Sequence, residues 1–292
     1  IEQSIVTGNR ALGPAGGGGV LVVDSSTATI SASSLVDNRA EHENAGGGGL
    51  NVQRGFVVVT RSTVSGNSAY DGAGGIRASA SNGDSALTLI DSTVSNNIAD
   101  VDLVLDGNAG GIWASSTSTT VLVIEIVNSI VAGNHDDGAI VYPDFQIDSF
   151  VTLISSGFNL IGVNEGASAA FAAGSPNANG DFVGTAAAPI DPLLEALALN
   201  QAVTLSHRPV LDAASPVIDQ GACPGRSADQ RGRGVPSTHL RAFDHPTVPT
   251  HAASDGCDIG AVERGASADS AAELFLDGFE LGHALRWSAE AP

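Results

Sequence analysis

Hydrophobic and polar residues alternate in short stretches that recur along the first half of the chain at a nearly constant interval. The clearest unit is a six-residue segment with Ser at its first position, an aliphatic residue at its third and Asn at its sixth. Five such segments align without gaps, at residues 4–9, 33–38, 62–67, 92–97 and 129–134. Their Asn residues are separated by 29, 29, 30 and 37 positions. Such a period indicates a repeat protein, in which each unit buries its hydrophobic face against its neighbours.

Each repeat also contains two further hydrophobic stretches of the length of a strand. One follows a pair of glycines, at residues 18–20, 48–50, 74–76 and 110–112, and the other is an aliphatic run, at residues 56–59, 87–90 and 121–127. Apolar residues occur at every second position, as around Val64, and not at the three- and four-residue intervals of a helix. Three strands in about 29 residues fit a coil whose successive turns pair strand on strand about 4.8 Å apart. The pattern therefore predicts an all-β fold, a right-handed parallel β-helix solenoid of about five to six recognisable rungs with an irregular C-terminal cap.

Two columns of the repeat have a structural interpretation. The aliphatic third positions are expected to stack as one buried column, and they are Val6, Leu35, Val64, Val94 and Val131. The Asn at the sixth position tolerates a left-handed backbone, and its amide can bond to the backbone and to the next Asn. We predict a structural amide ladder formed by Asn9, Asn38, Asn67, Asn97 and Asn134.

The repeat pattern divides the chain into three parts. Residues 1–163 carry the repeats, and because Ile1 falls inside a repeat we expect the natural N-terminus to lie further upstream. Residues 164–264 lack periodicity, and we expect extended turns there with one short helix near Leu193. This region is predicted to cap the last rung, because an open solenoid end exposes unpaired strand edges. Residues 265–292 form a small-residue linker and a C-terminal tail.

Composition narrows the classes of partner. The chain has a net charge of −20, and all 12 of its basic residues are Arg. So acidic a surface repels phosphate backbones, which makes nucleic acid and anionic membranes poor partners. No apolar run of about 18 residues is present, so the sequence predicts no transmembrane helix.

Five motifs occur in a fixed order along the second half of the chain. They are Asn128-Ser-Ile-Val-Ala-Gly-Asn134, Ser156-Gly-Phe-Asn-Leu-Ile-Gly162, Ser215-Pro-Val-Ile-Asp-Gln220, Asp229-Gln-Arg-Gly232 and Cys257-Asp-Ile-Gly-Ala-Val-Glu263. This order resembles the choice-of-anchor Q domain, which ends many bacterial surface β-helix proteins, some with an N-terminal CSLREA motif that this sequence does not contain. The rungs are similar to the Ser-Asn-Gly-Gly repeats of polymorphic outer-membrane proteins.

The resemblance covers most of residues 1–264 and implies export to the cell surface or the medium. The tail motifs Asp277-Gly-Phe-Glu280 and Arg286-Trp287-Ser288 are similar to short terminal motifs of secreted proteobacterial proteins. An exported protein matures in an oxidising compartment, which favours disulfides. The resemblance therefore implies a bridge between Cys223 and Cys257. The alternative is a pair of free, buried thiols in a reduced protein.

Candidate chemistry is concentrated in two acidic insertions, because no motif of a catalytic nucleophile, a metalloprotease or a phosphate-binding loop is present. The first insertion contains Asp100, Asp102 and Asp106, and the second contains Asp136, Asp137, Asp144 and Asp148. Two of these carboxylates could act on a glycosidic bond, or the first set could bind Ca²⁺ through oxygen ligands. The alternative is that they are solvated loop residues.

Two other sets of polar residues each allow more than one interpretation. Arg61 and Asp91 precede the repeat Ser on adjacent rungs, where Arg61 could act as the base of a lyase or form a surface ion pair with Asp91. A histidine-rich loop contains His239, Asp244, His245 and His251. A spacing of six on an irregular loop does not bring metal ligands together, so this loop is a weak candidate for a metal site.

One column of the repeat suggests a binding surface. The residue that follows the glycine pair and its aliphatic neighbour is Leu21, Asn51, Arg77 and Trp113 on successive rungs. The neighbouring aliphatic residues point inward, so this column is expected to point outward. Trp stacks on sugar rings and Arg reaches acidic groups, so Arg77, Trp113 and Asn51 are candidate glycan-binding residues. The alternative is an Arg that only stacks on an exposed Trp.

The sequence therefore favours a secreted or cell-surface β-helix protein that is adhesin-like or binds polysaccharide without catalysis. Its partner would be an extracellular polysaccharide or a cell-surface or host glycan, with no cofactor required apart from the Ca²⁺ considered above. The alternative is a pectin-lyase-like polysaccharide lyase or a glycoside hydrolase, which the lack of paired acids in one strand column makes less favoured.

Overall fold

The computed structural model describes residues 1–14, 16–43, 46–101, 108–138, 142–232 and 244–265. Within these ranges the chain forms β-strands and turns and no helix, so the predicted all-β class is confirmed. Accordingly, none of these segments is a helix long and apolar enough to cross a bilayer. The predicted short helix near Leu193 is wrong, because this residue lies in an irregular segment with a φ of 51°.

The strands follow one another along the chain in a regular succession. They are β1 (Ile5–Thr7), β2 (Arg10–Ala11), β3 (Val20–Val23), β4 (Thr27–Ser31), β5 (Ser34–Val36), β6 (Arg39–Ala40), β7 (Leu50–Gln53), β8 (Phe56–Thr60), β9 (Thr63–Ser65), β10 (Ser68–Ala69), β11 (Ile76–Ala80), β12 (Ser85–Ile90), β13 (Thr93–Ser95), β14 (Ile98–Ala99), β15 (Ile112–Ser116), β16 (Leu122–Val127), β17 (Ile130–Val131), β18 (His135–Asp136), β19 (Phe145–Ile147), β20 (Val151–Ser155), β21 (Leu160–Ile161) and β22 (Phe182–Val183).

These strands form four parallel sheets that run along the molecule. Sheet I contains β1, β5, β9, β13, β17, β21 and β22 in spatial order. Sheet II contains β2, β6, β10, β14 and β18, sheet III contains β3, β7, β11, β15 and β19, and sheet IV contains β4, β8, β12, β16 and β20. One passage through the four sheets completes one turn, and about five turns stack into the predicted parallel β-solenoid.

Each turn contains four strands rather than the three that the hydrophobic stretches predict. The additional strands are those of sheet II, which are two residues long and directly follow the Asn column. Two residues cannot display an alternating pattern, so sequence reasoning misses them. Backbone hydrogen bonds between rungs define these strands. One example is the bond from Arg39 N–H to Asn9 O, at 2.8 Å.

The core is a stack of aliphatic side chains inside the solenoid. The predicted inward column is paired rung on rung from Val6 to Val131, and its members other than Val6 are completely buried. Sheets III and IV contribute alternate residues to the same core, such as Ile76 and Leu87. The core ends at Phe145 and Phe171, whose ring centroids lie 5.6 Å apart. Beyond the recognisable repeats, β22 still extends sheet I by pairing with β21.

In the predicted cap of residues 164–264, Ala167 and Phe171 pack onto the end of the core, and residues 184–265 are termed the flanking segment. The flanking segment folds back and lies on the outer face of sheet I. Near the first rungs the contact is polar. Ser34 Oγ donates a hydrogen bond to Leu205 O, and Thr63 Oγ1 donates one to Gln230 Oε1, each with a donor–acceptor distance of 2.6 Å. Farther along, the contact becomes an apolar cluster that joins sheet I residues to the flanking segment, formed by Ile130, Ala132, Leu160, Val217, Ile218, Val248 and Ile259.

Buried carboxylates replace strand partners for the backbone of the flanking segment. Asp219 accepts the N–H of His245 with both oxygens, at 3.0 and 2.9 Å. Asp258 accepts the N–H of Asp219 at 2.8 Å, and Glu263 accepts the N–H of Asp258 at 3.0 Å. All three carboxylates are buried. The acidic residues of the motifs at 215–220 and 257–263 therefore have a structural role, which is to satisfy backbone donors that no sheet pairs.

Candidate functional site

The Asn column is occupied by internal hydrogen bonds and is not open to a ligand. Each Nδ2 donates to Oδ1 of the next Asn at 2.9 to 3.0 Å, from Asn9 through to Asn134. The ladder ends at Asp144, whose Oδ1 accepts from Asn134 Nδ2 at 2.9 Å. Burial raises the pKa of Asp144 to about 7. This aspartate therefore belongs to the scaffold rather than to an acidic binding loop.

The other candidate acids do not converge on one site in the described structure. Asp102 and Asp106 lie outside the described residues, and Asp100 is buried. Asp136 is also buried, and it accepts the N–H groups of Gly138 at 2.9 Å and Tyr142 at 2.8 Å. Calcium binding by Asp100, Asp102 and Asp106 stays a prediction.

The disulfide between Cys223 and Cys257 is present, with an S–S distance of 2.06 Å. Asp255 lies close to both sulfurs, and these residues form the one group of three potential metal ligands within the described ranges. Because both sulfurs are consumed by the bridge, this group is not a thiolate metal site. In the histidine-rich loop, His239 lies outside the described residues and His245 is buried.

The turn between sheets IV and I carries the column that contains Arg61 and Asp91. The predicted ion pair between these two residues is wrong. Asp91 is completely buried and pairs instead with Arg226 of the flanking segment, over 2.7 Å. Arg61 donates to Ser31 Oγ over 3.0 Å.

The predicted glycan-binding column lies on sheet III, where Leu21, Asn51, Arg77 and Trp113 are paired in register on successive strands. The prediction that the whole column is exposed is wrong at Asn51, which is completely buried. The reason is local, since the backbone at Gly46 passes so close that a Cβ there would lie 1.8 Å from Asn51 Nδ2. Arg77 and Trp113 are half-buried, and the guanidinium carbon lies 4.4 Å from the centroid of the indole ring.

Three residues that the repeat pattern does not assign to this surface complete it. Gln146 of β19 is paired with Trp113 on the next rung. Asp71 and Asp148 are close enough to Arg77 to raise its pKa, whereas burial lowers it by more. The strand of Gln146 follows Pro143-Asp144 instead of a glycine pair, so the repeat pattern does not reveal that it continues the column.

The charged groups of this surface are the guanidinium of Arg77 and the carboxylates of Asp71 and Asp148. Burial raises the pKa of Asp148, and the neighbouring Trp113 and Arg77 partly offset this by lowering it. Because Arg77 already faces Asp71 and Asp148, its positive charge is largely balanced within the protein.

Two polar side-chain atoms on adjacent rungs are buried beside this surface. They are Nε1 of Trp113, a donor, and Oε1 of Gln146, an acceptor. The Trp113 side chain is a hydrogen-bond donor to Asp148, and this contact lowers the pKa of that carboxyl. Because both atoms are themselves buried, this surface offers a ligand the half-buried indole and the carboxylate of Asp148 beside it. An indole, an amide and a carboxylate together suit a sugar, which presents a C–H face and several hydroxyls.

Compared with known proteins, the chain matches no family model, no curated protein and no solved structure. Its function must therefore be inferred from the site itself.

Proposed function

We propose that the protein binds an uncharged polysaccharide, without catalysis, on the outer face of sheet III. The observation that carries this proposal is the arrangement of half-buried Trp113 and Gln146 on adjacent rungs, with the carboxylate of Asp148 beside the indole. Rungs stack at about 4.8 Å, so a row of side chains along the solenoid axis suits an extended chain of sugars.

The charge of the surface decides between neutral and acidic glycans. Arg77 interacts electrostatically with both Asp71 and Asp148, and these three groups carry a formal net charge of −1. An anionic polymer would be repelled, whereas a neutral polymer could donate hydroxyl hydrogens to the carboxylates. The sequence suggests that Arg77 recruits acidic sugars. The charges around Arg77 instead favour neutral sugars as ligands.

We further propose that the protein acts outside the cell, at the cell surface or in the medium. The disulfide supports this, because such bridges persist in oxidising compartments. The resemblance to bacterial surface β-helix proteins agrees with it. Extracellular polysaccharide would be accessible to the protein there.

Glycoside hydrolysis is the second candidate function, and one observation favours it. Asp148 is a carboxylic acid whose pKa is raised by burial beside an indole, which suits a general acid. Asp71, which also interacts electrostatically with Arg77, would be the second carboxylate.

The test is retention on a panel of neutral and acidic polysaccharides by affinity electrophoresis. Trp113→Ala should weaken binding of a retained neutral glycan by at least about tenfold, as truncation of a central Trp in an interface does. Phe56→Ala is the matched control, because Phe56 is an exposed aromatic residue on sheet IV that is 40% accessible. Failure of the protein to retain any neutral glycan, or equal losses in both variants, would contradict the proposal.

Release of reducing ends separates binding from hydrolysis. A binding protein releases none from the glycan that it retains. If the wild type does release them and Asp148→Asn abolishes the release while retention continues, the second candidate replaces the first.

A further inference from the structure

At the later rungs, the flanking segment contacts a column of turn residues between sheets IV and I, termed the turn column. This column consists of Gln3, Ala32, Arg61, Asp91 and Asn128, each with a φ between 44° and 48°. Asn128 Oδ1 accepts the N–H of Ala222 at 3.1 Å, and Asp91 pairs with Arg226. These contacts fix the edge of the flanking segment against the fourth and fifth members of the column.

At the earlier rungs the two surfaces separate and leave a cavity of about 480 Å³. One wall is the turn column, with Gln3, Ala32 and Arg61. The other wall is the flanking segment at residues 226–228 and Gly232, and Glu2 lies at the rim. Cavities between two structural units are common positions for small-ligand sites, and this volume is within their usual range.

The cavity is lined by two arginines and one glutamate, Glu2, in a strongly acidic protein. Arg226 has its charge balanced by Asp91, but Arg61 has no acidic partner among the described residues and donates only to Ser31 Oγ. Two guanidinium groups therefore contribute to one cavity in a chain with a net charge of −20. An isolated guanidinium in such a cavity is suited to a bidentate bond with a carboxylate.

We infer that this cavity binds the carboxylate of a small acidic sugar, a uronic acid, with Arg61 as its principal partner. The methyl groups of Ala32 and Ala228 offer apolar surface for the C–H face of the ring. The amide of Gln3, the hydroxyl of Thr60 and the carboxylate of Glu2 line the same space and can bond to sugar hydroxyls. This cavity lies on a different edge of the solenoid from sheet III, so the inference does not rest on the proposed function.

Glu2 distinguishes a carboxylate ligand from a phosphate. A single negative charge can approach Arg61 while its hydroxyls face Glu2, whereas a phosphate near neutral pH carries more charge and is repelled more strongly. Glu2→Gln should therefore strengthen the binding of inorganic phosphate more than that of a uronate.

The experiment is isothermal titration calorimetry of the full chain with D-galacturonate, D-galactose and inorganic phosphate. Galacturonate should bind saturably at millimolar concentration, with galactose and phosphate binding at least about tenfold more weakly. Arg61→Gln should weaken galacturonate binding by at least about tenfold, as loss of a charge-assisted hydrogen bond does. Arg54→Gln is the matched control, because it removes the same charge from an arginine that pairs with Asp24 elsewhere.

Three results would overturn the inference: no saturable binding of galacturonate by the wild type, binding of galactose or phosphate as tight as that of galacturonate, or equal losses in the two arginine variants. Thr60→Trp provides a second route if Arg61→Gln does not fold. It fills the cavity without changing its charge, and galacturonate binding that survives it would place the site elsewhere.

Discussion

At the scale of single residues, the repeated Ser and Asn are scaffold residues that satisfy the backbone between rungs. Ser33 N–H donates to Ser62 Oγ at 3.1 Å, while Ser33 Oγ donates to Ser31 O at 2.8 Å. The Asn ladder also links one rung to the next. The amide N–H of its last member, Asn134, needs an acceptor other than Asn. Asp144 supplies it, and its second oxygen accepts the N–H of Val163 at 2.8 Å.

Asp144 should make the stability of the fold depend on pH. Its pKa of about 7 in the folded state exceeds the value of an unfolded aspartate, so the folded protein binds the proton more tightly. The contribution of Asp144 to the free energy of unfolding is therefore greatest at low pH. It falls as the pH rises from about 4 to 7, by roughly 1.4 kcal/mol per unit of pKa difference.

Urea unfolding of the wild type and Asp144→Asn at several pH values between 4 and 7 measures this. The free energy of unfolding of the wild type minus that of Asp144→Asn should fall as the pH rises, because only the wild type has the proton to lose. Loss of the acceptor for Val163 adds an offset that does not depend on pH, so the slope of the difference is the test. Parallel curves for the two proteins would contradict the assignment of the proton to Asp144.

At the scale of elements, the short strands inside each sheet are stable because both edges are paired and the inner face is packed. Three residues of β9 pair with β5 on one side and β13 on the other. From β5 onward, sheet I is also covered on its outer face by the flanking segment, and the residues of β5, β9 and β13 are buried on both faces. Sheet IV keeps its outer face exposed, with Phe56 and Val58 on β8.

Two valine-to-aspartate variants on consecutive strands of one rung test this difference. Val64 in β9 is completely buried, whereas Val58 in β8 is 36% accessible. Val64→Asp places an unpaired charge in the aliphatic core, at a cost comparable to the roughly 5–15 kcal/mol that stabilises a typical domain. We expect it to prevent folding, while Val58→Asp should change the free energy of unfolding by less than about 1 kcal/mol.

Circular dichroism and thermal unfolding report the outcome. The milder Val64→Ala should lower stability by about 2 kcal/mol and supplies a value even if the aspartate variant does not fold. A cooperative transition at the wild-type temperature in Val64→Asp would disprove the buried column.

At the scale of the whole molecule, the protein is a solenoid with a covalently tied flanking segment. The segment runs along sheet I, and its hold on the solenoid changes from polar contacts near Gln230 to apolar contacts near Ile259. The bridge between Cys223 and Cys257 ties together its two halves, which are 34 residues apart in the chain. The proposed binding surface on sheet III and the cavity beside Arg61 depend on different parts of this arrangement.

Removal of the disulfide should loosen the flanking segment more than the rungs. For a loop of this length, the chain-entropy model gives a loss of about 4 kcal/mol in Cys223→Ser/Cys257→Ser. Limited trypsin digestion should then cut first within the flanking segment, where Arg226 and Arg231 lie. Thiol titration of the denatured, unreduced wild type should find no free thiol, and two reactive thiols would refute the bridge.

The sequence by itself determined the repeat, the all-β class, the inward column through Val64 and the stacking of Arg77 beside Trp113. These features follow from a side-chain period of two and a repeat of about 29 residues, both of which are local and can be read along the chain. The pairing of the cysteines was implied by the resemblance to exported proteins, and the structure confirms it.

Tertiary structure alone decided where the non-repeating half of the chain lies and which polar residues of the rungs it pairs with. The burial of Asn51, the pairing of Asp91 with Arg226 and the place of Gln146 beside Trp113 were not predicted. Asp91 and Arg226 are far apart in the chain, and such contacts leave no periodic trace in the sequence. Gln146 lies on a rung whose insertion breaks the repeat, so its register is set by the backbone hydrogen bonds of sheet III and not by any pattern of residues.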